Sequence, residues 1–203
     1  MEITKQIKVV TIVLLLLPIG NYAQHFVPGF KAGMVTSQVD GDRLDGYDKP
    51  SVTAGIFVEN KFHEYWTFSM GIDYIQKGSR SIPNDSLGGR YYKLRLNYIE
   101  VPFLVRAIIK KKFQVEAGLV FGYLYRARED MDAYGFTEPS PPFKKYDFPM
   151  RVGVGYSFNE HVGIRFHYSY SILPIRNHPA NQTWYFDRGQ YNNYLILSLY
   201  YTL

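Results

Sequence analysis

The sequence contains no cysteine, which excludes both a disulfide framework and a metal site built on thiolates. After residue 23 it also lacks any apolar run near the roughly 20 residues that a membrane-spanning helix needs. The formal net charge is only +5, too small an excess to favour nucleic acid as a partner, and we expect none. The chain is instead rich in aromatic residues, with 19 tyrosines and 14 phenylalanines.

The first residues have the features of an export signal. Lys5 and Lys8 precede an apolar run over residues 9–17, and Ala23 provides a small residue before Gln24. This order predicts a secretory signal peptide over residues 1–23 and a mature domain over residues 24–203. An uncleaved N-terminal anchor is the alternative, although the run is short for a spanning helix.

Apolar residues alternate with polar ones over long stretches, which indicates strands with one apolar and one polar face. The longest regular example spans residues 113–126. Eight such segments are predicted, over residues 30–37, 51–59, 66–77, 91–109, 113–126, 148–157, 162–172 and 191–203. The phase changes within the fourth segment, so we expect an extra residue, a β-bulge, near residues 97–100.

The connections alternate between long loops and short turns, as they do in outer-membrane barrels. The long loops are predicted at residues 38–50, 78–90, 127–146 and 174–189. Alternation alone does not say which face points inward, and a soluble lipocalin-like barrel is the competing interpretation. Glycines on the polar face suit a narrow interior, and aromatics at the ends of the apolar rows are typical of membrane girdles. We therefore predict an all-β fold, an eight-stranded antiparallel up-and-down transmembrane β-barrel in the outer membrane of a Gram-negative bacterium.

Several stretches carry a family resemblance over residues 25–203. The segments FKAGM, WTFSMGIDYIQKG, LNYIEVPFLVRA and FQVEAGLVFGYLYR resemble the outer-membrane barrel domain of the PorT-like family, and YIEVP at residues 98–102 is the most specific of them. The signal ending in Ala-Gln is similar to that of secreted Bacteroidetes proteins. The family takes its name from a protein associated with secretion and gliding machinery, so the resemblance implies a role in a protein secretion or envelope assembly complex.

The polar face carries charges of both signs. Unpaired buried charges are costly, so we expect them to form an interior polar network that fills the barrel, with an ion path as the alternative. The predicted network residues are Asp73, Glu100, Arg106, Glu116, Arg151, Arg165 and His167. The same alternation also places Lys31, Glu59 and Arg126 on this face.

No stretch predicts catalysis or a cofactor strongly. His167 and Ser169 share a face, as a hydrolase pair would, but no carboxylate in the sequence is obviously placed to orient the histidine. The aspartates of residues 40–48 lack the closing glutamate of an EF-hand. We therefore expect no enzyme activity, no catalytic residues, no cofactor and no metal.

Function is expected in the long loops and at the outer rim. Trp184, Tyr185 and Phe186 form an aromatic cluster suited to partner contact, with packing onto the rim as the alternative. The expected partners are outer-membrane lipid and lipopolysaccharide, contacted by basic residues near positions 90–95 and 126–128, and other envelope or secretion proteins. A structural or partner-binding role is thus predicted, with a small-solute pore or a lipid-modifying enzyme as alternatives.

Overall fold

The computed structural model describes residues 26–42, 44, 46–81, 91–110, 112–177 and 189–203. The strands are β1 (Phe26–Asp40), β2 (Lys49–Lys61), β3 (Trp66–Lys77), β4 (Arg80–Ser81), β5 (Tyr92–Ile109), β6 (Phe113–Met131), β7 (Tyr146–Asp147), β8 (Pro149–Ser157), β9 (Val162–Ser171) and β10 (Tyr191–Thr202). Across these ranges no helix is long and apolar enough to cross a membrane.

The eight long strands form a closed antiparallel barrel in which each strand pairs with its neighbours along the chain. The ring is completed by β1 against β10, with Phe30 opposite Tyr201, and by β5 against β6. The two short strands each pair with one long strand. β4 pairs with β5 in the same register that β3 uses, and β7 pairs with β6. The predicted fold class is confirmed.

The two ends of the barrel differ in the length of their connections. The short connections from β2 to β3, from β5 to β6 and from β8 to β9 share one end with the start of β1 and the end of β10. We call this the turn end, and the opposite end the loop end. The predicted loop 127–146 begins too early, because β6 continues to Met131, which pairs with Tyr92 of β5. These two strands therefore project beyond their neighbours at the loop end.

The predicted bulge exists, but its extra residue belongs to the other strand. Register between β5 and β6 shifts at Asn97 and Tyr98, where Asn97 faces Arg126 and Tyr98 faces Leu124, so Tyr125 of β6 is the unmatched residue. On β5 the even-numbered residues stay buried from Leu94 to Arg106, with no change of phase. The sequence pattern misled because the interior itself becomes apolar toward the loop end.

The outward face is apolar and is bordered by aromatic residues. Met34, Ile56 and Leu199 are each more than half exposed, as expected of side chains that face lipid instead of a core. Ring pairs such as Phe113 with Tyr156 lie at the turn end, and Tyr74 with Tyr125 at the loop end. The rings therefore border the apolar band on both sides.

The interior is narrow, and glycine is required where strands approach most closely. A Cβ added to Gly118 would overlap the carbonyl oxygen of Phe103 and approach Leu104 Cα at 2.9 Å. Toward the loop end the interior is filled by buried apolar side chains. These are Val35, Val39, Ile75, Leu94, Leu96, Tyr98, Leu124, Phe143, Ile175, Tyr194 and Ile196.

Candidate functional site

All seven residues predicted for the interior network lie inside the barrel, and none is more than 3 % exposed. They come from β3, β5, β6, β8 and β9, because alternation on each strand directs every second side chain to the axis. Arg126 is the exception among the inward predictions. It is exposed, since the extra residue at Tyr125 moves the following side chains of β6 to the opposite face.

The part of the network nearest the turn end is built around two arginines and two glutamates. Arg106 donates from Nη1 and Nη2 to the two oxygens of Glu59, both at 2.7 Å, and from Nε to Glu116 Oε1 at 2.8 Å. Arg165 donates to Glu59 Oε1 at 2.9 Å and lies 3.1 Å from Glu116 Oε1. Each carboxylate thus contacts both guanidinium groups, and forked geometry of this kind gives strong charge-assisted pairing.

His167 and Ser169 belong to different contacts, although they share a face of β9. His167 Nε2 lies 3.2 Å from Glu116 Oε2, so a carboxylate does neighbour this histidine, contrary to the sequence-based expectation. Ser169 Oγ accepts a hydrogen bond from Arg151 Nε at 2.9 Å. The two side chains that resemble a hydrolase pair are therefore each engaged by a different member of the network.

The middle of the barrel holds a second group of ion pairs. Arg151 donates to Glu100 Oε2 at 2.6 Å, and Tyr194 donates to the other oxygen of Glu100 at 2.8 Å. Lys31 Nζ lies 2.9 Å from Asp73 Oδ2, which is also 3.6 Å from an Arg151 nitrogen. Arg151 therefore links the two carboxylates of this level.

Sequence reasoning missed two members of this group. Lys77 is fully buried between Glu100, at 2.6 Å, and Asp147, at 3.0 Å, with the rings of Tyr98 and Tyr194 4.3 and 4.2 Å from its ammonium. The inward phase of Lys77 on β3 was a usable signal. Asp147 was missed because it lies in the short strand β7, which the sequence pattern did not predict; the predicted strand began at position 148.

The interior ion pairs are balanced in charge. They join five basic side chains, Lys31, Lys77, Arg106, Arg151 and Arg165, to five carboxylates, Glu59, Asp73, Glu100, Glu116 and Asp147. With His167 neutral the set carries no net charge. Buried charges persist only when they are paired in this way, because an uncompensated ion in a low-dielectric interior costs several kcal/mol.

Aromatic side chains pack against the network near the turn end. The Arg165 guanidinium lies 3.8 Å from the centre of the Tyr200 ring and 5.1 Å from that of Phe57. A cavity of about 500 Å³ opens at the turn end, and its lining includes Glu59, Arg106 and Tyr200. The cavity therefore ends on the ion pairs.

Two further expectations concern metals and the loop aromatics. Within the described part of the chain no group of three or more acidic or histidine side chains could hold a metal ion. In the predicted aspartate loop, Asp42 Oδ1 instead accepts a hydrogen bond from the Leu44 backbone N–H at 2.9 Å. The signal peptide and the cluster Trp184, Tyr185 and Phe186 lie outside the described residues.

Comparison with known proteins decides the family. A family model described as "Outer membrane protein beta-barrel domain" matches residues 22–177. The chain belongs to this family. No curated protein matches its sequence.

Solved outer-membrane barrels share the fold of this outer membrane beta-barrel protein. Neisserial surface protein A (NspA) aligns at 12% identity over 88% of this chain and 97% of its own, with a TM-score of 0.51. Ail, the attachment invasion locus protein of Yersinia pestis, solved with the heparin analogue sucrose octasulfate, aligns at 12% identity over 88% of this chain and 99% of its own, with a TM-score of 0.50. Family and fold together confirm the predicted outer-membrane location, and the exposed apolar face is the surface that contacts lipid.

Proposed function

We propose that this protein is a non-conducting outer-membrane barrel that acts through contacts with lipid and partner proteins at its loop end. The resemblance to the PorT-like family of Bacteroidetes supports a place in a secretion or envelope assembly complex. The observation that carries the proposal is the charge-balanced network of ion pairs across the interior.

A pore requires polar groups that exchange partners with a passing solute. Here each charged group of the network already has a protein partner, and Glu100 alone contacts Lys77, Arg151 and Tyr194. Toward the loop end, a solute that follows the barrel axis would also have to pass buried apolar side chains, which do not solvate an ion. An ion would have to separate these pairs, and each buried charge left without a partner costs several kcal/mol, so a small-solute pore receives less support.

A lipid-modifying enzyme also receives less support. Ser169 faces the interior with no exposed surface and is engaged by Arg151. An acyl chain in the bilayer lies on the opposite face of β9, so it would have to pass through the sheet to reach this hydroxyl.

The projecting ends of β5 and β6 favour partner contact. Beyond the bulge these strands stay paired up to Tyr92 and Met131, and a bridge between Glu129 and Thr137 folds the following segment back onto β6. Tyr134 at the tip is 92% exposed. An exposed aromatic residue on a rigid support is a common feature of protein-binding sites.

The proposal is tested by purified protein in liposomes together with affinity purification from native membranes. We expect solute uptake no faster than in protein-free liposomes, and the same envelope proteins in repeated purifications of the wild type. The variant Tyr134→Ala should fold normally and recover less of those proteins. Rapid uptake of small solutes would contradict the proposal.

A further inference from the structure

We propose that the outward face of β5 and β6, just above the tyrosine girdle, binds the phosphate groups of an outer-leaflet lipid through Arg95, Arg126 and Arg128. This inference rests on the proposed function and on the loop end facing the outside of the cell, since the long loops of outer-membrane barrels are extracellular. It concerns the lipid-facing wall of the barrel and not the interior network.

The three arginines are brought together by strand register. Arg95 of β5 lies directly opposite Arg128 of β6, and Asn97 lies opposite Arg126. The bulge at Tyr125 is what turns Arg126 and Arg128 outward, since regular alternation would direct both of them into the barrel. Strict alternation therefore misplaces Arg126 and Arg128, although the sequence predicts lipopolysaccharide contact near these positions.

Among the described residues, no carboxylate forms an ion pair that would neutralise the positive charge at this position. No ion pair between described residues includes Arg95, Arg126 or Arg128. Lys93 and Arg80, opposite each other one step further from the membrane, add to the charge. Asp130 faces Lys93 in register, but it is buried, and its Oδ1 accepts a hydrogen bond from the Gly135 N–H at 3.0 Å.

Like charges placed directly opposite each other destabilise a sheet, and an anion between them would offset this repulsion. The space for such an anion exists. An outward-facing groove of about 380 Å³ is lined by Tyr74, Gln76, Arg95, Asn97, Tyr125, Arg126, Arg128 and Phe136. Its aromatic and amide members are held in place, since Asn97 Oδ1 accepts hydrogen bonds from the Tyr74 hydroxyl at 3.2 Å and from Gln76 Nε2 at 2.9 Å.

The position of the groove identifies the ligand class. Tyr74 and Tyr125 form its lower border, with ring centres 6.4 Å apart, and the apolar band of the barrel begins immediately below them. Phe136 lies against Arg95, with the guanidinium carbon 4.2 Å from the ring centre, and so orients that side chain. Groups at this depth meet lipid headgroups. A single guanidinium group can donate two parallel hydrogen bonds to a phosphate. A phosphorylated glycolipid such as lipid A satisfies both conditions.

The test compares R95Q/R126Q/R128Q with K61Q/K110Q/K112Q, which removes the same charge from exposed lysines at the turn end. Binding of bisphosphorylated lipid A to the detergent-purified protein is titrated by native mass spectrometry. We expect the arginine variant to bind about 100-fold more weakly and each single substitution to cost about fivefold, because each basic residue near a headgroup contributes ~1 kcal/mol. The lysine variant should bind as the wild type does.

Three results would overturn the inference. The first is a loss of lipid A binding in the lysine variant equal to that in the arginine variant, and the second is equal binding of dephosphorylated lipid A by the wild type. The third is displacement of the lipid by inorganic phosphate at the same concentration, which would indicate a site for free anions. Retention of the heat-dependent shift in gel mobility confirms that each variant is folded. If the triple variant does not fold, the single variants still test the inference. A conducting protein would contradict the proposed function without changing this result.

Discussion

Replacing Glu100 by glutamine should show whether charge balance holds the interior together. Glu100 has no exposed surface and accepts contacts from Lys77 at 2.6 Å, Arg151 at 2.6 Å and the Tyr194 hydroxyl at 2.8 Å. Glutamine keeps the shape but removes the negative charge. Among the described carboxylates, this leaves Asp147, at 3.0 Å, beside Lys77 and Asp73, at 3.6 Å, beside Arg151.

The size of the effect follows from the cost of an uncompensated buried charge. Removing one partner of a buried ion pair lowers the free energy of unfolding by about 3–5 kcal/mol, whereas replacing both partners by apolar residues of similar volume is often close to neutral. We therefore expect Glu100→Gln and Arg151→Met each to lower the free energy of unfolding by about 3–5 kcal/mol. The double variant should lose far less than the sum, because Lys77 with Asp147 and Lys31 with Asp73 remain paired.

The assay is urea unfolding of the refolded barrel in lipid vesicles, followed by tryptophan fluorescence. The exposed substitution Lys61→Gln is the matched control and should change stability by less than about 0.5 kcal/mol. Strictly additive single effects, or single effects below about 1 kcal/mol, would refute the reasoning, because the network would then not act as a unit.

Two further predictions use other parts of the barrel. Burial raises the pKa of Asp42, in the turn after β1, to about 6 from 3.8. Ionisation is therefore less favourable in the folded chain, and stability should fall as the pH rises from about 4 to about 6, by up to ~3 kcal/mol. Asp42→Asn should flatten that part of the urea-derived stability curve, and an unchanged slope would count against it. On β6, Gly118→Ala should cost ~1–3 kcal/mol, since a methyl group would overlap Phe103, whereas the nearest atoms to a Cβ at Gly122 are 3.4 Å away, so Gly122→Ala should cost less than about 1 kcal/mol. Equal unfolding midpoints for the two variants would contradict this difference.

Alternation predicts most of this barrel because lipid and a polar interior impose opposite demands on neighbouring residues. It works on β9 and β10, where the interior is polar along most of the strand. It fails on β5, because Leu94 and Leu96 are buried inside the barrel yet look the same in sequence as lipid-facing residues. The identity of an apolar residue does not show whether it faces lipid or the apolar part of the barrel interior.

Ion-pair partners were harder to predict than the inward positions themselves. Phase indicates that Lys77 faces inward, but only the register of eight strands brings it to Asp147, 70 positions later. The outward position of Arg126 depends on a single unmatched residue, and the same pattern that indicates a bulge does not say which strand contains it. These features depend on pairing between distant strands, which period-two patterns do not encode.

Single-channel recording in a planar lipid bilayer tests the central claim, a filled interior, most directly. With folded wild-type protein inserted, the network and the apolar layer above it predict a baseline without stable conductance steps. Reproducible, long-lived steps of uniform size from the wild type would contradict the account.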